Sequence, residues 1–269
     1  MESKSPKIIE WPGLQHIEDN PDLYLDMLLK DIVFVFRNAN LDIDEQYELH
    51  RTLGKIFNGF PNKTEGGRDE YIEDHARLNK GASDDTGDDI RVPWHQEHFN
   101  YTNSIIYGNW NNEIFNIDKK NGKTYFYDMC KFYKTLPDDT KEFLKKCTAD
   151  AGGSDPDIND YALVNYHWIT NEPVLRMPFW GKYKLNNYDG RPSTKMEQTK
   201  FTTIMNDILS FVTKDEKNRI VHEWQQGDLV VSDLYKCAHA VTGGFDSKDR
   251  KFIGMFGHAM PSKADVLPN

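Results

Sequence analysis

The sequence predicts an α+β fold with a mainly β core, and three observations carry that reading. Short runs of β-branched and aromatic residues recur along the chain, helical patterns appear only at intervals between them, and no linker-like stretch separates two cores. At 269 residues the chain is long enough to bury a sizeable core, so residues 1–269 are expected to form one domain.

Taken in order, the first helix is predicted within residues 20–30 (NPDLYLDMLLK), where a capping asparagine precedes a proline at the first helical position. The run DIVFVF at 31–36 follows as a buried strand. Residues 42–57 (DIDEQYELHRTLGKIF) open on acidic side chains and carry an apolar stripe of Tyr47, Leu49, Leu53 and Ile56, which predicts a second helix ending at Gly54. The polar, acidic, glycine-containing stretch 62–89 reads as a long surface loop of the kind that covers a site as a lid. Strands are then predicted at SIIYG (104–108), KTYFY (123–127), DYALVNYHW (160–168) and DLVVS (228–232). Helices interrupt them at 127–147, where Pro137 breaks one helix into two, and at 197–212, where Phe201, Ile204, Met205, Ile208, Leu209 and Val212 share a face.

Composition narrows the partners. A formal net charge of -10 repels phosphate backbones, and no Lys/Arg stripe interleaved with aromatics offsets it, so nucleic acid is not an expected partner. No apolar run approaches the roughly 20 residues of a membrane helix. The N-terminal residues lack a secretory apolar stretch, and Cys130, Cys147 and Cys237 form no disulfide framework; a reduced, cytoplasmic protein is expected. Nothing in the sequence fixes the oligomeric state, which leaves room for a homo-oligomer.

The stretch RVPWHQEHFN (91–100) concentrates metal-ligating side chains in His95, Glu97 and His98. On a strand, residues i and i+2 project to one face, so His95 stands beside Glu97 while Gln96 and His98 point away. A second histidine must come from elsewhere, and His239, on the strand expected after Gly227, is the candidate. His95, Glu97 and His239 then make the two-histidine, one-carboxylate set that leaves coordination positions open and suits non-haem Fe(II). Two other readings stand beside it: a buried hydrogen-bonded pair at a strand end, and a zinc site made of His95, His98 and Cys237. His167 reads as a packing or supporting histidine.

The blocks PWHQE (93–97), NGKTYFYDMCKFYKTLPDDTKEFLKKC (121–147), GDLVVSDLYKCAHAV (227–241) and DRKFIGMFG (249–257), in this order, resemble the TauD/clavaminate-synthase-like Fe(II)/2-oxoglutarate-dependent dioxygenases. The resemblance implies a double-stranded β-helix (jelly roll) with flanking helices, iron held by His95, Glu97 and His239, and 2-oxoglutarate and O2 as co-substrates. It places Thr124 and Arg250 on the far carboxylate of 2-oxoglutarate, where a hydroxyl and a planar, permanently charged guanidinium suit a carboxylate fork. Read without the resemblance, Thr124 is an ordinary strand threonine and Arg250 a solvated charge. The implied reaction is oxidative decarboxylation to succinate and CO2 coupled to hydrogen abstraction from a bound small molecule, ending as a rule in hydroxylation.

The chain departs from the family pattern at informative places. Many members carry a second arginine four residues after the one at Arg250, and here that position is Gly254. Ser232 stands where tryptophan is common, and Glu97 where many relatives use aspartate, as in the amino-acid hydroxylases of the group. A carboxylate at 97 argues against halogenation, which needs that ligand position vacated. Arg91 occupies the position at which taurine-type members place a polar substrate contact, so it is expected to meet an anionic group; the plain alternative is an ion pair with Asp88 or Asp89. Asn100 and Tyr101 are further candidates for the pocket wall. The expected substrate is a small charged metabolite such as an amino acid or related anion, the alternatives being a catalytically silent binding module on the same fold and a zinc hydrolase.

Overall fold

The computed structural model describes residues 3–57, 71–74, 90–96, 104–114, 122–150, 161–167, 169–177, 184–243 and 250–259. In chain order the elements are β1 (Lys7–Glu10), α1 (Leu14–Asp19), α2 (Pro21–Asp31), β2 (Val33–Arg37), α3 (Ile43–Ile56), β3 (Tyr71–Asp74), β4 (Ile90–His95) and β5 (Ser104–Ile114). β6 (Thr124–Asp128) leads into α4 (Met129–Thr135) and α5 (Asp138–Lys145). Short strands follow: β7 (Cys147–Asp150), β8 (Tyr161–Ala162), β9 (Val164–Tyr166), β10 (Pro173–Leu175), β11 (Lys184–Tyr188) and β12 (Arg191–Pro192). α6 (Lys195–Lys214) precedes the closing strands β13 (Ile220–His222), β14 (Leu229–Ser232), β15 (Cys237–Thr242) and β16 (Arg250–Ala259).

Two sheets dominate: a six-stranded one in the order β1-β2-β14-β5-β16-β3 and a four-stranded one in the order β13-β6-β15-β4. They pack face to face, because Val33 and Val35 of β2 and Val230 of β14 share one apolar cluster with Phe126 of β6 and Cys237 of β15. The alternate residues of β2, Phe34 and Phe36, turn to the opposite face and meet Tyr24 of α2 at ring-centroid distances of 6.4 and 5.8 Å. β2 is therefore apolar at successive positions because both of its faces are covered, and burying each such side chain contributes about 1.5–3 kcal/mol.

The helices follow their sequence signals. Pro21 is at the first position of α2, Pro137 separates α4 from α5, and α6 buries Phe201, Met205, Ile208 and Val212. Asp42 caps α3 in a reciprocal box, accepting from the Glu45 N–H at 2.9 Å while the Glu45 side chain accepts from the Asp42 N–H at 3.0 Å. α3 differs from expectation in two ways. It runs through the buried Gly54 to Ile56, and Phe57 N–H still reaches the Leu53 carbonyl at 2.8 Å. Its sheet-facing side also carries Gln46 and His50, with Tyr47 half-exposed, because Asn109 of β5 binds the Gln46 amide at 2.9 Å and His50 Nδ1 at 2.8 Å. A buried hydrogen-bonded tie replaces part of the expected apolar stripe.

Two strand expectations also change. The run 160–168 becomes two short strands in different sheets, β8 pairing with β7 and β9 with β10, with Leu163 between them hydrogen-bonded to both Cys147 and Arg176 through its backbone. Within the stretch 62–89, expected as loop, Tyr71–Asp74 pairs antiparallel with β16 at the edge of the large sheet; the rest lies outside the described residues. Among the described residues no helix is long and apolar enough to cross a membrane.

Candidate functional site

β4 and β15 are antiparallel neighbours, and their register sets His95 directly opposite His239. The two imidazoles are 4.0 Å apart between centroids, and both residues are over nine-tenths buried. Pro93 carbonyl lies 2.8 Å from His95 Nδ1. A carbonyl only accepts, so Nδ1 carries a proton and Nε2 is the nitrogen through which a neutral ring would bind a metal, the arrangement that an outer hydrogen bond imposes on a metal-binding histidine. Gln96 turns the opposite way, its Oε1 accepting from Met177 N–H at 2.7 Å, as strand alternation requires.

Apolar rings wall the histidine pair. Trp110 of β5 lies 5.8 Å from His239 and 5.8 Å from Phe256 of β16, and Phe126, the β6 register partner of His239, is 6.4 Å away. Thr124 stands two residues along β6 from Phe126, about 7 Å at the usual strand rise. It is buried, and its Oγ1 accepts from the Trp224 indole N–H at 2.9 Å. Gly254 is buried and registers opposite Trp110 of β5.

Behind β15 sits a buried polar cluster that holds the turn entering that strand. Asp233 Oδ2 is 3.1 Å from His167 Nε2 and 3.6 Å from Lys236 Nζ, while Asp233 Oδ1 accepts from Lys236 N–H at 3.0 Å. Thr170 N–H donates to His167 Nδ1 at 3.1 Å, so the imidazole proton faces Asp233. Burial alone would push the Asp233 carboxyl up; the facing His167 and Lys236 outweigh it and hold the carboxyl below the usual range. Lys236 also donates to the Leu29 carbonyl at 2.8 Å, and Arg176 lies over the Tyr235 ring at 4.3 Å while donating to the Tyr235 carbonyl.

His95, His239 and Thr124 are thus brought to one space between the sheets. Arg91 lies in β4 and Arg250 opens β16 opposite Ile114; their side chains, and all of Glu97, His98, Asn100 and Tyr101, lie outside the described residues. Among the described residues no group of three or more His, Cys, Asp or Glu is assembled. Cys237 is fully buried, its Sγ 3.1 Å from the Ala238 carbonyl, and burial pushes its thiol well up; it is an unfavourable thiolate for the zinc reading. The paired imidazoles, one oriented through its Nδ1 by the Pro93 carbonyl, fit a divalent metal. Sequence reasoning passed over Trp224, Arg176 and Lys236: their types signal nothing until the turns around β14 and β15 fold back toward β6 and α2.

No curated protein matches the chain in sequence. A protein from Burkholderia xenovorans assigned as an alpha-ketoglutarate-dependent taurine dioxygenase superposes with a TM-score of 0.68 at 17% identity, over 96% of this chain and 88% of that one. A second taurine dioxygenase from the same organism gives 0.66 at 14% identity, over 96% and 89%. AAD-2, solved with Mn(II) and N-oxalylglycine, gives 0.65 at 15% identity, over 96% of each chain. These likenesses establish a shared fold. TauD-family dioxygenases use Fe(II), 2-oxoglutarate and O2. The family model described as taurine catabolism dioxygenase TauD, TfdA family, matches residues 10–256, and the chain therefore belongs to the TauD/TfdA family of dioxygenases.

Proposed function

We propose that this chain is a single-domain Fe(II)- and 2-oxoglutarate-dependent hydroxylase of a small charged metabolite, an amino acid or related anion, built on a jelly roll with flanking helices. The observation that carries the reading is the pair His95 and His239, opposed across β4 and β15 with His95 Nδ1 held on the Pro93 carbonyl. His95, Glu97 and His239 would hold the iron. Thr124 and Arg250 would take the far carboxylate of 2-oxoglutarate, and Arg91 and Asn100 would meet the substrate. Bound Fe(II), with 2-oxoglutarate and O2, supplies the oxidant for a carbon–hydrogen bond. The chain's own part is to orient and to exclude water: Trp110 and Phe126 set apolar rings against His239, Phe256 packs against Trp110, and the buried Asp233 cluster fixes the turn from which His239 departs.

Gly254 removes the family's second arginine, so Arg91 becomes the cation that reads the substrate anion. The test is a screen of amino acids and related anions for succinate release above the substrate-free rate. With the best substrate in hand, Arg91→Ala is expected to raise KM about tenfold or more, the scale of one charge-assisted hydrogen bond, while 2-oxoglutarate affinity stays put. An unchanged KM would remove Arg91 from the substrate site. Absence of substrate-stimulated succinate across the screen, in protein that binds 2-oxoglutarate, would contradict the proposed substrate class.

A further inference from the structure

Thr124 and Trp224 form a contact that the functional reading leaves without a purpose. The indole nitrogen only donates, so in the 2.9 Å bond the Thr124 oxygen must accept. That bond occupies a lone pair on the hydroxyl and leaves its proton for another acceptor. A carboxylate is such an acceptor and offers no proton of its own.

Trp224 is itself held. It lies on the turn between β13 and β14, its ring edge-on to His222 at 4.6 Å. The next residue, Gln225, donates its backbone N–H to Asp228 Oδ2 at 2.8 Å, and the same oxygen is 3.3 Å from His222 Nε2. Asp228 is fully buried, and its other oxygen pairs with Arg37 Nε of β2 at 2.6 Å. A buried ion pair thereby ties the turn to the six-stranded sheet, while the indole reaches over to the four-stranded one.

We propose that Trp224 is a positioning residue for the co-substrate, its indole N–H fixing the Thr124 hydroxyl as a hydrogen-bond donor to the far carboxylate of 2-oxoglutarate. This rests on the reading of Thr124 given above. An unfixed hydroxyl rotates among several partners and must be ordered when the carboxylate arrives; with its lone pair engaged, it meets the carboxylate already oriented. The same contact makes Thr124 discriminate: a 2-oxo acid ending in a methyl group gains nothing from it.

The experiment uses the full chain loaded with Mn(II) under anaerobic conditions, with calorimetric Kd values for 2-oxoglutarate and for 2-oxopentanoate, which has the same chain length but a methyl in place of the far carboxylate. Trp224→Phe keeps a ring and loses the N–H. It is expected to weaken 2-oxoglutarate about three- to tenfold and leave 2-oxopentanoate unchanged. Thr124→Val is expected to do the same, and Trp224→Phe in that background to add nothing further. Unchanged 2-oxoglutarate affinity in Trp224→Phe, or equal losses for both acids, would overturn the proposal. Should Trp224→Phe not fold, Thr124→Val decides by itself, because wild-type discrimination between the two acids would leave the Thr124 hydroxyl without the role the indole serves. If the unsubstituted protein binds neither acid, the co-substrate reading fails, and that result is separate from failure of the Trp224 role alone.

Discussion

Replacing His239 with alanine is expected to abolish the divalent-metal site and leave the fold in place. The strand tolerates the change, because β15 is paired on both sides, with β4 and β6, and already carries Ala238 and Ala240 on either side of the histidine. Loss of an outer hydrogen-bond partner costs a metal site roughly 10–100-fold in affinity, and loss of a ligand should exceed that. Calorimetric titration of Mn(II) is therefore expected to show binding weakened by more than about 100-fold in both His95→Ala and His239→Ala, with wild-type circular dichroism. Metal affinity within a few-fold of the parent in either variant would remove that histidine from the site. His167→Ala gives the contrast: it acts on Asp233 and is expected to lower stability more than metal affinity.

The second large effect is on stability, at Asp233. With Asp233→Ala, Lys236 stays buried with its charge unmatched, and breaking a buried pair in this way costs about 3–5 kcal/mol. Changing both members of the ion pair, as Asp233→Leu with Lys236→Met, is expected to recover part of that loss, since it removes both charges' desolvation costs while the His167 N–H loses its acceptor. Urea denaturation of the parent and the two variants checks the order. The same pair predicts an acid limb. The folded Asp233 carboxyl titrates below its unfolded range, so the unfolded chain binds more protons in the window between the two values. Its contribution is present above about pH 4, the unfolded range of an aspartate, and is lost as pH falls further through the folded value. Asp233→Asn is expected to flatten that limb. A parent and variant with superimposable stability–pH curves below about pH 4 would contradict the assignment.

Much of this was legible in the sequence, for identifiable physical reasons. Period and capping chemistry are local, so the proline-led α2, the capping box of α3, the break at Pro137 and the stripe of α6 all emerge where their residues place them. Strand alternation is local too, and it correctly separates His95 from Gln96. What was not legible depends on partners far along the chain. Gly54 reads as a helix end, and only the packing around α3 carries the helix through it. The run 160–168 reads as one strand, and the change of partner at Leu163 divides it. Trp224 meets Thr124 across 100 residues, and His167 reaches Asp233 from the far side of α6 in the chain; no spacing rule announces either contact. Glu97, Arg250, Arg91 and Asn100 remain part of the proposal on the strength of their sequence context.

The most direct test of the iron and 2-oxoglutarate chemistry is optical. Fe(II) and 2-oxoglutarate added anaerobically to the metal-free protein are expected to produce a visible metal-to-ligand charge-transfer band, formed stoichiometrically with the protein and bleached on admitting O2 as succinate appears. A protein that takes up Fe(II) and 2-oxoglutarate with no such band, and forms no succinate in air with any candidate substrate, would contradict the account.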